Sequence, residues 1–420
     1  MLDIKLIREN PQKVSDGCQK KGIEVDIARL LEVDKKRKDV LQALEDMRSK
    51  KNQANRDIQG GKGDKEKIIM QMRELDTNND RLDGDLKVLE EEFNKLMRQI
   101  PNLPLDEVPF GKDDRENVVM REEGQKPKFN FKPRDYLDIA EKLDIIDVKR
   151  AALVSGSRFG YLKGEAAILE FALVNLVLDV VAKENFVPVI PPVMLKPEMM
   201  EGMGYTDRGR DEIYFLEKDG LYLIGTSEQS LGAMHANETF QAQDLPKRYA
   251  GFSTCFRREA GAYGKDTKGI LRVHQFDKIE MFSFCSPEKS AEEHLLLLSL
   301  EEKIMQLLGV PYRVLRICTG DLGDPAAAKY DIEAWMPGQN QYRETHSTSN
   351  CTDYQARRLN IRYKDAKTQK TEFVHTLNGT GLAIGRALIA IIENYQQKDG
   401  SIKVPKVLQK YTKFKLIKNK

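Results

Sequence analysis

Ten residues, Ile68, Met72, Leu75, Asn79, Leu82, Leu86, Leu89, Phe93, Leu96 and Ile100, follow one another at alternating steps of four and three. That spacing keeps one stripe of a helix apolar with a period of 3.5, the seam of a coiled coil. Upstream, Leu30, Val33, Arg37, Val40, Leu44, Met47, Lys51, Ala54 and Ile58 repeat the rhythm with two polar intrusions, and the glycine-rich stretch 59–64 interrupts it. The pattern predicts two helices joined by that turn into an antiparallel hairpin, with arms about 50 Å long at 1.5 Å per residue. Asn79 on the seam reads as a register device. Residues 35–58 hold eight cations against four anions. A dimerisation coil, a spacer and an arm that carries RNA all fit such a hairpin, and the basic first helix favours RNA.

After Ile100 the run PNLPLDEVPFGKDD is a proline-rich connector and marks a domain boundary. Beyond it, short apolar runs alternate with helices over 166–184 and 292–308, which predicts a mixed α and β body. At 420 residues, 40% of them hydrophobic, the chain can bury a sizeable core. The longest aliphatic run is cut by Glu170, Asn175 and Asp179, and no leader is legible, so neither export nor a membrane role is expected. Five widely spaced cysteines without a CxxC pair predict reduced thiols, a cytoplasmic location and no zinc. The net charge of +2 leaves any nucleic-acid partner to local patches.

The stretch CFRREAGAYGKDTKGILRVHQFDKIEMFSF, 255–284, places cations and an aromatic residue on two apolar runs around a glycine-containing loop, with no Walker motif. Cations suit phosphate, and a ring suits a base. It resembles motif 2 of class II aminoacyl-tRNA synthetases, and the wording RVHQFDKIE is similar to the seryl-tRNA synthetase family. Thr226-Ser227-Glu228, then Glu344 to Ser347 ahead of Gln355-Ala356-Arg357-Arg358, then 376–395 fall in the order of that family. The stretch FVPVIPPVML, 186–195, resembles motif 1, a homodimer interface there.

The resemblance implies an α+β chain, with a long N-terminal antiparallel α-helical coiled-coil hairpin and a class II synthetase catalytic domain whose central antiparallel β-sheet is flanked by helices. Its expected domains are 1–103, tRNA-binding; 104–116, a linker; 117–411, catalytic; and 412–420, a basic tail read as a solvated end. The activity implied is seryl-tRNA synthesis, in which L-serine and ATP give seryl-adenylate and the seryl group passes to tRNA(Ser), with tRNA(Sec) as a further acceptor. Arg257 would bridge the α-phosphate and the serine carboxylate, and Arg386 would hold the γ-phosphate. ATP would also meet Arg258, Glu259 through the adenine amino group, Arg272, Val273, Phe276 by stacking, Glu344, Thr345, His346 and Ser347. Glu344 and Ser347 would hold Mg²⁺ with ATP; His346 departs from the family's usual serine and reads as a structural histidine.

Serine would be held by Thr226, Ser227, Glu228, Arg257, Glu280, Asn378 and Thr380, a polar pocket that rejects alanine by hydrogen bonding and threonine by size. The hairpin would bind the long variable arm of the tRNA through Lys35, Lys36, Lys38, Arg48, Lys50, Lys51 and Arg56, and the body would form a homodimer. Gly379, Gly381 and Gly385 are spaced GxGxxxG and do not make a dinucleotide loop. Two other readings stand beside this one, a ligase that charges a carrier protein and an inactive RNA-binding paralogue. The long arm argues against the first, and intact Arg257, Glu259, Glu280, Glu344 and Arg386 against the second.

Overall fold

The computed structural model describes every residue except Lys62, Gly63, Ala262, Tyr263, Lys265, Ala366, Lys367 and Lys420. Two compact units divide the chain, Met1–Gln19 with Ile23–Pro101, and Lys20–Gly22 with Asn102–Lys420.

In the first unit, α1 (Ile27–Gln59) and α2 (Lys65–Arg98) pack against each other as the heptads require. Asp26 and Asp64 cap them, each carboxylate accepting from first-turn amides. All ten seam residues of the second heptad are buried or half-buried, and most of their neighbours are exposed. The turn between the helices includes Lys62 and Gly63, which lie outside the described residues. Asn79 donates along its own helix to Asp83, 2.6 Å, so the register device takes another form. Ion pairs tie the helices together instead, between Arg29 and Glu92 at 2.7 Å and between Lys51 and Asp76.

In the second unit, among the described residues, eight strands make the main sheet: β1 (Val118–Glu123), β2 (Val187–Val189), β3 (Lys247–Phe256), β4 (Gln275–Cys285), β5 (Tyr312–Arg316), β6 (Ala328–Met336), β7 (Gln341–Asn350) and β8 (His375–Ala383). Their order is β1-β5-β6-β7-β8-β4-β3-β2. Every pairing is antiparallel except the last, where the proline-bearing β2 lies parallel to β3 at the edge, so the sheet is mixed at one border. β3 and β4 are the two strands expected to flank the loop within 255–284, paired from Lys247↔Phe284 to Phe256↔Gln275.

Helices α3 (Glu165–Val181), α4 (Ser227–Ala233), α5 (Ser290–Leu308) and α6 (Ile384–Asn394) surround the sheet. Leu173, Val177, Leu297, Ile304, Leu388 and Ile391 from α3, α5 and α6 join Ile279, Met281 and Leu382 of the strands in one core. Burial of such side chains is worth roughly 1.5–3 kcal/mol each, and it fixes the strands that carry the polar residues below. Among the described residues no helix is long and apolar enough to cross a membrane. The tail holds a short strand, Leu416–Ile417, paired with Ile402–Lys403, and Ile417 is buried, so it is anchored rather than wholly solvated; Lys420 lies outside the described residues.

Candidate active site

Side chains alternate across a strand, so Glu344 and Ser347, three apart, belong on opposite faces of a regular β7. The structure resolves the conflict with a β-bulge. Ile332 pairs with His346 and Glu333 with Glu344, leaving Thr345 as an extra residue that restores Glu344 to the face of Ser347. A second bulge in β8 leaves Gly381 extra between Thr380 and Leu382. Beside these bulges β7 and β8 part: they pair only at Thr348↔Gly379, Ser349↔Asn378 and Asn350↔Leu377. The cleft opens over that split.

One half of the cleft is lined by Arg257, Glu259, Arg272, Val273, Phe276, Lys278, Glu344, Thr345, Thr380 and Arg386. Arg257 lies over the Phe276 ring, 5.2 Å from its centroid, and its Nε donates to the Gly225 carbonyl at 3.1 Å. Glu259, at a φ of 52°, receives Arg272 at 2.8 Å. Arg386 donates to the Glu344 carbonyl at 3.0 Å and pairs with its carboxylate at 3.3 Å. Glu344 has 47% of its side chain open to the cleft. Desolvation within the cleft raises its pKa, but Arg386, Lys329, Arg257 and Lys278 outweigh that and hold it at about 2. It is an anion at every working pH.

The other half, a cavity of about 600 Å³, is lined by Tyr205, Thr226, Glu228, Glu280, Ser347, Asn378 and Thr380, and shares Arg257, Lys278, Glu344 and Thr380 with the first. Glu280, 2% exposed, accepts from Thr226 Oγ1 at 3.3 Å and pairs with Lys278. Glu228 accepts from Tyr205 Oη at 2.7 Å and Gln355 Nε2 at 3.1 Å. Burial, and then Glu280, push the Glu228 carboxyl up to about 7. Asn378 donates to Cys351 Sγ at 3.7 Å, and its carbonyl accepts from Thr348. The cleft therefore sets a cationic, aromatic half beside an acidic, hydroxyl-bearing half, and Arg257 faces both.

Three predicted residues turn elsewhere. Ser227 is buried, bonded to the Gly251 carbonyl at 3.2 Å and Ser253 Oγ at 2.7 Å. Arg258 is exposed, with its guanidinium 5.9 Å from the Tyr214 ring centroid. His346 alternates into the interior, 1% exposed, where burial holds it neutral with a pKa of about 3, in keeping with its structural reading. Of the hairpin cations, Lys35, Lys38, Arg48, Lys50 and Arg56 are exposed; Lys36 is exposed but paired with Glu32 at 2.6 Å, and Lys51 faces Asp76 across the hairpin.

The sequence reading missed Lys278, Lys329, Tyr205 and the role of Gln355. Lys278 was within reach of strand alternation, being two residues from both Phe276 and Glu280. Lys329 pairs with Asp331 at 3.1 Å behind Glu344, and no local pattern announces it. Among the described residues no cluster of three His, Cys, Asp or Glu side chains could enclose a metal by itself. Glu344 and Ser347 offer two hard oxygens on one face, which suits Mg²⁺ whose other ligands are phosphate and water.

Residues 1–104 match the seryl-tRNA synthetase N-terminal domain, and 214–395 match the class II core domain of tRNA synthetases (G, H, P, S and T). A serine--tRNA ligase of Dictyoglomus turgidum is 46% identical over 416 residues, 98% of each chain. A seryl-tRNA synthetase from Pyrococcus horikoshii, solved complexed with ATP, is 42% identical and superimposes with a TM-score of 0.93 over the whole of both chains. The cytoplasmic serine-tRNA ligase of Naegleria fowleri, in complex with AMP, gives 35% and 0.89 over all of this chain and 99% of its own. With matches of this extent across both units, the chain belongs to the seryl-tRNA synthetase family of class II aminoacyl-tRNA synthetases.

Proposed function

We propose that this chain is a serine--tRNA ligase, which activates L-serine with ATP and transfers the seryl group to tRNA(Ser), with tRNA(Sec) as a second acceptor. The observation that carries the reading is the juxtaposition around Arg257: Phe276, Arg386 and Glu344 on one side, Thr226, Glu228 and Glu280 on the other. Adenine stacks on Phe276, with its amino group toward Glu259 and its phosphates reaching Arg257 and Arg386. The serine ammonium meets Glu228 and Thr226, and its hydroxyl meets Glu280 and Thr380. Both anions then converge on the planar guanidinium of Arg257, with the carboxylate oxygen facing the α-phosphorus.

Its attack expels pyrophosphate without a protein nucleophile, so the residues act by positioning and by neutralising charge. Glu344 and Ser347 would hold Mg²⁺, which supplies charge compensation for the phosphates. The acceptor's terminal ribose hydroxyl then takes the seryl group from the adenylate. The exposed cations of α1 hold the long arm of the tRNA through its phosphates, a shape-reading contact. Two copies pair through the apolar surface around α3 and β2, where Phe171 and Ile190 are exposed. The buried reduced thiols suit a cytoplasmic location.

The test is ATP–pyrophosphate exchange with each amino acid, followed by tRNA charging in the same preparation. Exchange with serine alone and charging of a long-armed tRNA is the expected result. Exchange without charging would indicate a carrier ligase, and no exchange an inactive paralogue.

A further inference from the structure

We infer that Tyr205 and Gln355 are positioning residues for the amino group of the substrate, each donating to one oxygen of Glu228 so that its anionic form is favoured and the carboxylate is aimed into the cleft. The inference rests on the assignment of Glu228 to the serine ammonium proposed above.

Tyr205 reaches Glu228 because of how a helix ends. The helix Pro197–Met203 stops at Gly204, whose φ of 86° is left-handed. Gly204 N–H bonds to Glu201 O at 3.0 Å and Tyr205 N–H to Met200 O at 3.5 Å, the paired bonds of a Schellman turn, and Tyr205 packs against the small apolar cluster that includes Met200. A Cβ on Gly204 would come within 3.2 Å of the Tyr354 ring, so the turn is closed on its outer side as well. Arg358 fastens the following loop, donating to Glu201 O at 2.9 Å and Asp207 Oδ2 at 2.7 Å. Gln355 belongs to the same short helix as Arg358, and its amide has one orientation: Thr376 Oγ1 donates to its Oε1 at 2.7 Å, so its NH₂ faces Met203 O at 3.3 Å and Glu228 Oε1.

Glu228 thus has one neutral donor on each oxygen and no cation bonded to it among the described residues. A carboxylate has room for further donors, and the remaining room faces Thr226 and the cavity. The charged and titratable groups around it are Glu280 and Lys278 of β4, Tyr205, and Cys351. Burial and the Glu280 charge favour the neutral acid, Lys278 opposes them, and the two donors favour the anion. Burial and then the Glu228 charge push the Tyr205 phenol far up, so it remains a donor.

The experiment is serine-dependent exchange by Tyr205→Phe at pH 7 and pH 8.5, beside the unaltered protein. Losing the donor raises the pKa of Glu228, so the KM for serine is expected to rise about tenfold at pH 7 and by about two- to threefold at pH 8.5, with kcat and the KM for ATP within about twofold. Absence of serine-dependent exchange by the unaltered protein would overturn the functional reading, and this inference with it. With that exchange present, a KM unchanged, or raised equally at both pH values, would reduce Tyr205 to packing and overturn the inference alone. If thermal melting shows Tyr205→Phe unfolded, Gln355→Met puts the same question to the other oxygen, with the same two outcomes.

Discussion

Glu344 sits among four cations, Arg386, Lys329, Arg257 and Lys278, and its charge is set by them more than by its own exposure. Replacing it by Gln leaves the shape and removes the anion that spaces those cations. Exchange by Glu344→Gln is expected to lose about 10²–10³ in kcat, the cost of one preorganised electrostatic group, and raising Mg²⁺ should not restore it. Steady-state exchange at saturating serine and ATP reads this directly; a loss below about threefold would remove Glu344 from the machinery. Residue identity at this site was largely readable in the chain, because motif order named the cleft side chains. What it could not supply was facing. Ser227, Arg258 and His346 sit one residue from side chains that enter the cleft, and the local backbone, a helix start at Ser227, a loop after β3 at Arg258 and a strand at His346, decides which of two neighbours points inward.

Among the elements, the hairpin was the most legible, since a heptad seam depends on near neighbours alone. The bulges at Thr345 and Gly381 were the least, because an inserted residue leaves no trace in composition and appears only when two strands are aligned. The parallel edge strand β2 was hidden for a similar reason: strand direction is a property of the pair. The tRNA role proposed for the hairpin would separate binding from chemistry. Excising residues 30–100 is expected to abolish tRNA charging while serine-dependent exchange stays within about threefold, because the cleft residues all lie in the second unit. Aminoacylation and exchange assays on the same preparation check this; retained charging would sink the role given to the arm.

Across the whole molecule, buried titratable groups pull stability in opposite directions. Glu228 is raised to about 7 and Glu170 to about 8, both first by burial. An acid whose folded pKa lies above its unfolded value costs stability increasingly as pH rises from the unfolded to the folded pKa, and the full cost persists above it. Burial lowers His294 to about 4 and His346 to about 3 and also lowers His375. Their unfolded forms take protons below about 6.5, so stability is lost there. Above pH 6.5 those histidines are neutral in both states and only the cost of the buried acids still grows, so the melting midpoint of the ligand-free protein should be lower at pH 8 than at pH 6.5, by about 3 °C. Calorimetry across pH 5–9 checks it, and a midpoint still rising from pH 7 to 8.5 would refute the assignment.

The parting of β7 from β8 carries one more consequence. Two strands that stop pairing in mid-sheet present facing rows of amides and carbonyls without a ladder, and such rows are where a structure breathes. Arg386 occupies the gap, its guanidinium on the Glu344 carbonyl, so the side chain proposed to receive phosphate is also a stitch between the two lips. Any ligand that draws it away takes over the work of holding the lips together. Amide hydrogen exchange should show this as a gradient along β7, slow at 348–350 and faster toward 344–347, with the difference shrinking once ATP and serine are bound. The cleft is, in this sense, a seam left open in the sheet for its substrates to close.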